Sequence, residues 1–138
     1  MKHLTRIAGG VLAATFLIGG LAACSPASET PDVVTDVQVS EAPSILAEPG
    51  ITVVDVRTPA EFAAGHLPGA VNIDLQSNTF AEQIADLSKD EAYFVYCQSA
   101  NRSGTATDHM ADAGFTTVYD MQGGVTAWQA AGGELVTD

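Results

Sequence analysis

The chain has 138 residues, with 17 acidic side chains against 5 basic ones, a formal charge of −12 and 46% hydrophobic residues. Cations this sparse argue against a basic patch, and so exclude nucleic acid and anionic lipid head groups as partners bound through one.

Residues 1–23 read as a bacterial lipoprotein signal peptide. Lys2, His3 and Arg6 form a short positive n-region, and Ile7 to Gly20 form an apolar h-region. Leu21-Ala22-Ala23-Cys24 then matches a lipobox, in which cleavage precedes a cysteine that carries a diacylglycerol thioether. A retained transmembrane helix is the alternative, but the segment is short, broken by glycines and closed by small residues. Residues 24–36, lipidated Cys24 and the run SPASETPDVVTD, read as a flexible tether. An anchor of two acyl chains attaches stably. The expected location is therefore the cell envelope, lipid-anchored on the extracytoplasmic side, periplasmic or at the cell surface; Ser25 favours an outer membrane. With Lys2 and Arg6 in the leader, the mature chain keeps Arg57, Lys89 and Arg102 as its permanent cations.

Residues 37–138 suffice for one small domain with one core. Val37 to Val39 predicts a short edge strand and Ala42 to Ala47 a helix. Ile51 to Val56 is an apolar strand running into Arg57. Thr58 reads as an N-cap with Pro59 at the first helical position, for a helix to Ala64. Ala70 to Ile73 is a short strand, and Thr79 to Leu87 has apolar residues at helical spacing. Ala92 to Tyr96, aromatic and β-branched, suits a buried strand. Ser103 opens a helix that stops at Gly114. Thr117 to Tyr119 is a strand, Gly124 to Ala131 a helix, and Leu135-Val136 a final strand. Strands separated by helices predict an α/β fold, a small parallel sheet flanked by helices on both faces.

Cys97 falls where the Ala92–Tyr96 strand ends and the following helix begins. That placement aims backbone N–H groups and a positive helix end at the sulfur, an arrangement that favours a thiolate. Arg102 adds a full charge at the far end of the loop, and Gln98, Ser99, Ala100 and Asn101 between them include no carboxylate. Arg57 also falls at a strand end, the edge of an α/β sheet where ligands bind. Two cations near one thiol make an anion-binding arrangement. The bland reading is that each arginine pairs with a nearby acid such as Asp55 or Glu61. With Cys24 blocked by lipid, Cys97 has no disulfide partner. A lone thiol in an oxidising compartment is either buried and inert or present for chemistry, and a loop position favours chemistry.

Three motifs carry a resemblance. DVRTPAEFAAGHLPGAVNI (Asp55 to Ile73), YCQSANRSG around Cys97, and VYDMQGGVTAW (Val118 to Trp128) resemble, in order, the signatures of rhodanese-like domains. The resemblance implies a single-domain sulfurtransferase in which Cys97 takes up a sulfane sulfur as a persulfide, with no metal or organic cofactor. It implies a donor such as thiosulfate and a thiol or cyanide acceptor, with a redox or sulfur-relay protein as a further partner. Gln98 to Ser103 would cradle the leaving anion and the persulfide, and Arg102 and Arg57 would steer the donor. Ala100 stands where the family often has glycine. Related cysteine phosphatases and arsenate reductases place five residues between cysteine and arginine; here there are four. A thiol or persulfide sensor is the other alternative.

Other residues take structural readings. His66 shapes a turn within GHLPGA, and Asp55 and Glu61 orient Arg57 or cap backbone groups. His109 faces solvent, while Met110, Phe115 and Trp128 belong to the core. Ser103 either donates to the sulfur or caps the helix.

Overall fold

Five strands and five helices alternate through residues 32–138, the part of the chain that the computed structural model describes. The signal segment, Cys24 and the tether as far as Pro31 lie outside the described residues. The strands are β1 (Val34–Val37), β2 (Ile51–Asp55), β3 (Val71–Asn72), β4 (Ala92–Tyr96) and β5 (Thr117–Met121). The helices are α1 (Ala42–Leu46), α2 (Pro59–Ala64), α3 (Phe80–Ala85), α4 (Asn101–Asp112) and α5 (Gly124–Ala130).

Every strand pairing is parallel, in the order β1-β5-β4-β2-β3. Parallel strands need crossover connections, and here the helices supply them. Period-2 alternation divides the core between the two faces of the sheet. Tyr93, Val95 and Cys97 pack with Val54, Val56, Phe80, Ile84 and Met110. Phe94 and Tyr96 point the other way, to Ala42, Leu67, Met121 and Val125. Thus α3 and α4 cover one face while α1 and α5 cover the other. β4 is central, and its last four residues are all buried.

Local chemistry fixes several ends. Thr58 accepts the Glu61 N–H, and the Glu61 carboxylate accepts the Thr58 N–H at 3.1 Å, a reciprocal cap with Pro59 at the first helical position. Gly114, at φ +89°, follows the last turn of α4.

Three expectations shift. The first strand runs Val34–Val37, not Val37–Val39, because pairing with β5 sets Val34 opposite Val118 and Val37 opposite Met121. α4 opens two residues before Ser103, at Asn101. Leu135-Val136 forms no strand; Val136 makes an isolated antiparallel bridge to His66.

Candidate active site

Cys97 follows the last residue of β4 and is 1% exposed. Its carbonyl accepts from Val125 N–H at 2.9 Å and that of Gln98 from Thr126 N–H at 3.2 Å, so the first turn of α5 holds the loop from below. The loop then turns sharply. Ala100 sits at φ +81°, the one non-glycine residue with positive φ among the described residues, and donates its N–H to the Cys97 sulfur at 3.1 Å. Ala100 is also the N-cap of α4 and supplies no side-chain cap. Ser103 instead donates its hydroxyl to the Ala100 carbonyl at 3.1 Å, which braces the left-handed turn and leaves the sulfur to the backbone. Ser99 and Asn101 face outward, exposed, and Gln98 is half-buried.

Both arginines reach the site, and both arrive paired. Arg57, 3% exposed, grips Asp55 through Nε and Nη2, the latter at 2.6 Å, and donates to the Gly65 carbonyl at 2.7 Å. Its Nη1 reaches Gln98 Oε1 at 3.3 Å, tying the β2 end to the loop. Arg102 donates through Nη1 and Nη2 to the two oxygens of Glu61, at 2.8 and 2.7 Å. That pair holds the Glu61 carboxyl well below the usual range, at about 2, and the Thr58 cap helps. Asp55 therefore orients Arg57, and Glu61 caps the Thr58 N–H, both as expected; the arginine that Glu61 orients is Arg102.

Gln98 does more than the loop role expected of it, bridging Arg57 to Thr126 by donating through Nε2 to Thr126 Oγ1 at 3.1 Å. Three further contributors were not singled out from the sequence. Gly124 is required by close approach, since a Cβ there would collide with the Cys97 carbonyl and the Gln98 backbone. Tyr96 accepts the Leu67 N–H at 3.0 Å, and burial pushes its phenol well up. Asp120, on β5 under the first turn of α4, is 3% exposed with one carboxylate oxygen unpartnered, and burial raises its pKa. The Gly-Gly of VYDMQGG was the signal for the close approach; nothing in the sequence marked the other two.

His66 is buried, stacks on Phe62 at 3.7 Å, and bonds the Phe62 carbonyl and Asp138. It shapes and pins its turn. His109 is exposed, Met110 and Phe115 are core, and Trp128 is only partly buried, with its indole N–H on the Glu134 carbonyl.

A thiol that ends a central strand and receives a backbone N–H, in a loop that carries Arg102 and is tied to Arg57 through Gln98, is arranged to carry a nucleophilic sulfur. Among the described residues, no group of three His, Cys, Asp or Glu side chains is placed to hold a metal ion.

Residues 38–131 match the family described as Rhodanese-like domain. The chain is 37% identical over 81 residues to the thiosulfate sulfurtransferase GlpE of Pseudomonas putida, covering 59% of this chain and 72% of that protein. It is 36% identical over 115 residues to the chloroplastic thiosulfate sulfurtransferase 16 of Arabidopsis thaliana, covering 76% of this chain and 95% of that protein. Among solved structures it resembles a rhodanese-related protein from Thermoplasma volcanium, with TM-score 0.65, 27% identity and coverage of 75% and 98%. A rhodanese-like domain from Anabaena gives TM-score 0.67 at 26% identity, covering 75% and 79%.

Proposed function

We propose, for a chain that belongs to the rhodanese-like domain family, that it moves a sulfane sulfur from a small donor to a thiophilic acceptor through a persulfide on Cys97. The observation that carries this reading is the seat of the sulfur: Cys97 Sγ lies at the end of the central strand, held by the Ala100 N–H at 3.1 Å. The Cys97 thiolate attacks the outer sulfur of the donor. The donor's S–S bond breaks, its electron pair leaves with the remaining anion, and a new S–S bond forms on Cys97. The acceptor thiolate or cyanide then attacks the outer persulfide sulfur and restores the thiolate. Loop N–H groups offset negative charge on the sulfur during both steps.

Lipid anchoring through Cys24, and with it an extracytoplasmic site of action, belongs to the same proposal. It rests on the lipobox alone. A second reading, a thiol or persulfide sensor, draws on the 1% exposure of Cys97, which would slow turnover while preserving a stable modified state.

The test is turnover with a sulfane-sulfur donor and cyanide, alongside intact mass after donor alone, for the chain and for Cys97→Ser. Thiocyanate release and a gain of one sulfur, both lost in Cys97→Ser, are the expected results. A mass gain without turnover with either cyanide or thiol acceptors would favour the sensor. Absence of both signals would overturn the sulfur-transfer reading.

A further inference from the structure

We infer that this site selects sulfur carriers bearing at most one negative charge over dianions such as thiosulfate, and that Glu61 is the residue that sets this selection. The inference rests on the sulfur-transfer reading above.

The described residues hold three cations against sixteen carboxylates. Each cation has a partner. Arg57 is buried on Asp55, with Nη2 also on the Gly65 carbonyl and Nη1 on Gln98. Arg102 presents both terminal nitrogens to Glu61. Lys89 donates to the Ile84 carbonyl and lies 3.9 Å over the Phe115 ring. It also precedes β4, whereas Cys97 follows it, so strand rise alone separates the two by roughly 20 Å. Asp55 with Arg57, and Glu61 with Arg102, therefore form two pairs of zero net charge beside the Cys97 loop, inside a strongly negative domain.

Burial sharpens the consequence. Cys97 is 1% exposed, so a donor sheds water as it meets the sulfur. Desolvating a second negative charge is costly unless a free cation receives it, and none of the described cations is free. Glu61 is also fixed in advance: the Thr58 N–H and hydroxyl both donate to its Oε2, at 3.1 and 2.8 Å. It ionises far below neutral pH, so it masks Arg102 throughout the physiological range. Arg102, with 25% of its side chain exposed, is the cation that loss of this carboxylate would expose to a donor.

A charge-matched pair of donors reads this out. Methanethiosulfonate carries one negative charge and thiosulfate two, and both offer a terminal sulfane sulfur. In each, the Cys97 thiolate attacks that sulfur and the S–S bond breaks. The electron pair departs with methanesulfinate or sulfite, and no oxidant is needed. The measurement is kcat/KM for each donor with the full chain and cyanide, normalised to the donor's rate with a free small thiol, at low and high salt. The expected result is a preference of about tenfold for methanethiosulfonate at low salt, shrinking as salt rises because only the dianion is strongly repelled. Glu61→Gln is expected to raise kcat/KM for thiosulfate about fivefold, while moving that for methanethiosulfonate less than twofold or so. Equal normalised rates for the two donors in the parent chain, or thiosulfate rates that fall with salt, would overturn the inference even if Glu61→Gln fails to fold. An unmoved ratio in a folded Glu61→Gln would remove Glu61 from it. Turnover with neither donor would instead overturn the sulfur-transfer reading beneath it.

Discussion

The backbone N–H of Ala100 reaches the sulfur of Cys97 at 3.1 Å, and does so from a left-handed conformation, φ +81°. An L-residue in that region costs roughly 1–2 kcal/mol, so the contact that seats the sulfur is maintained against strain. Ser103, bonded to the Ala100 carbonyl, is one of the groups that maintains it.

Ala100→Gly removes the strain and adds the chain entropy of glycine, roughly 0.5–1 kcal/mol. Relief of strain outweighs that entropy, so the variant is expected to gain up to about 1 kcal/mol, read as a higher urea midpoint at unchanged m-value. Ala100→Val adds β-branching at the same φ and is expected to lose stability and sulfur uptake together.

Two glycines, both at positive φ, should respond very differently to alanine. Gly124, φ +56°, has no room: a Cβ there meets the Cys97 carbonyl and the Gln98 backbone, and the Val125 and Thr126 bonds to those carbonyls prevent retreat. Gly124→Ala is expected to cost about 3 kcal/mol or more and to abolish persulfide formation. At Gly114, φ +89°, an added methyl would find nothing within 4 Å, so Gly114→Ala should cost only the left-handed penalty, about 1 kcal/mol. Thermal melts of the two variants, with mass readout of sulfur uptake, test the contrast.

Asp120 should destabilise the fold at neutral pH. Burial raises its pKa, so between its ordinary value near 4 and its folded value the native state binds more protons than the unfolded state. Stability attributable to this group therefore falls as pH rises through that window. Asp120→Asn is expected to be more stable than the parent at pH 7 by about 1 kcal/mol, with the advantage disappearing below about pH 4. Urea titrations of both proteins at pH 4 and pH 7 decide it; an advantage that grows on acidification would refute the assignment.

Glu61 behaves in the opposite sense. Its folded pKa of about 2 lies below the unfolded value, so the folded state binds fewer protons across that interval. Its contribution is fully present above the ordinary glutamate value and is lost as pH falls toward about 2. The pair with Arg102 is part-exposed, 34% on the Glu61 side, so solvent limits the contribution to about 1 kcal/mol or less. Glu61→Gln should show that deficit at pH 7 and converge with the parent in acid.

How far the sequence disclosed this arrangement depended on the range of each interaction. Thr58 and Pro59 announced the start of α2 because a reciprocal cap spans three residues. The unbroken apolar run Ala92–Tyr96 announced β4, since a strand buried on both faces needs no alternation. The first strand was misplaced because Val33, Val34, Val37 and Val39 fit more than one register, and only β5 chooses between them. Arg102 reaches Glu61, and Gln98 reaches Arg57, across 41 residues, while Gln98 reaches Thr126 across 28; local spacing offered Glu61 only as one acid among others and carried no sign of the Gln98 bridge. Ala100 marked its own departure from glycine, and the φ observed there is the one that departure strains.

The position of β4 bears on the order in which the fold would open. With β5 on one side, β2 on the other and both faces covered, its amides are expected to exchange with deuterium only through global unfolding. β3, two residues at one margin, and β1 at the other should exchange through smaller fluctuations. Margins of the sheet can then fray, or be remodelled by insertion, without loosening the strand that carries the nucleophile.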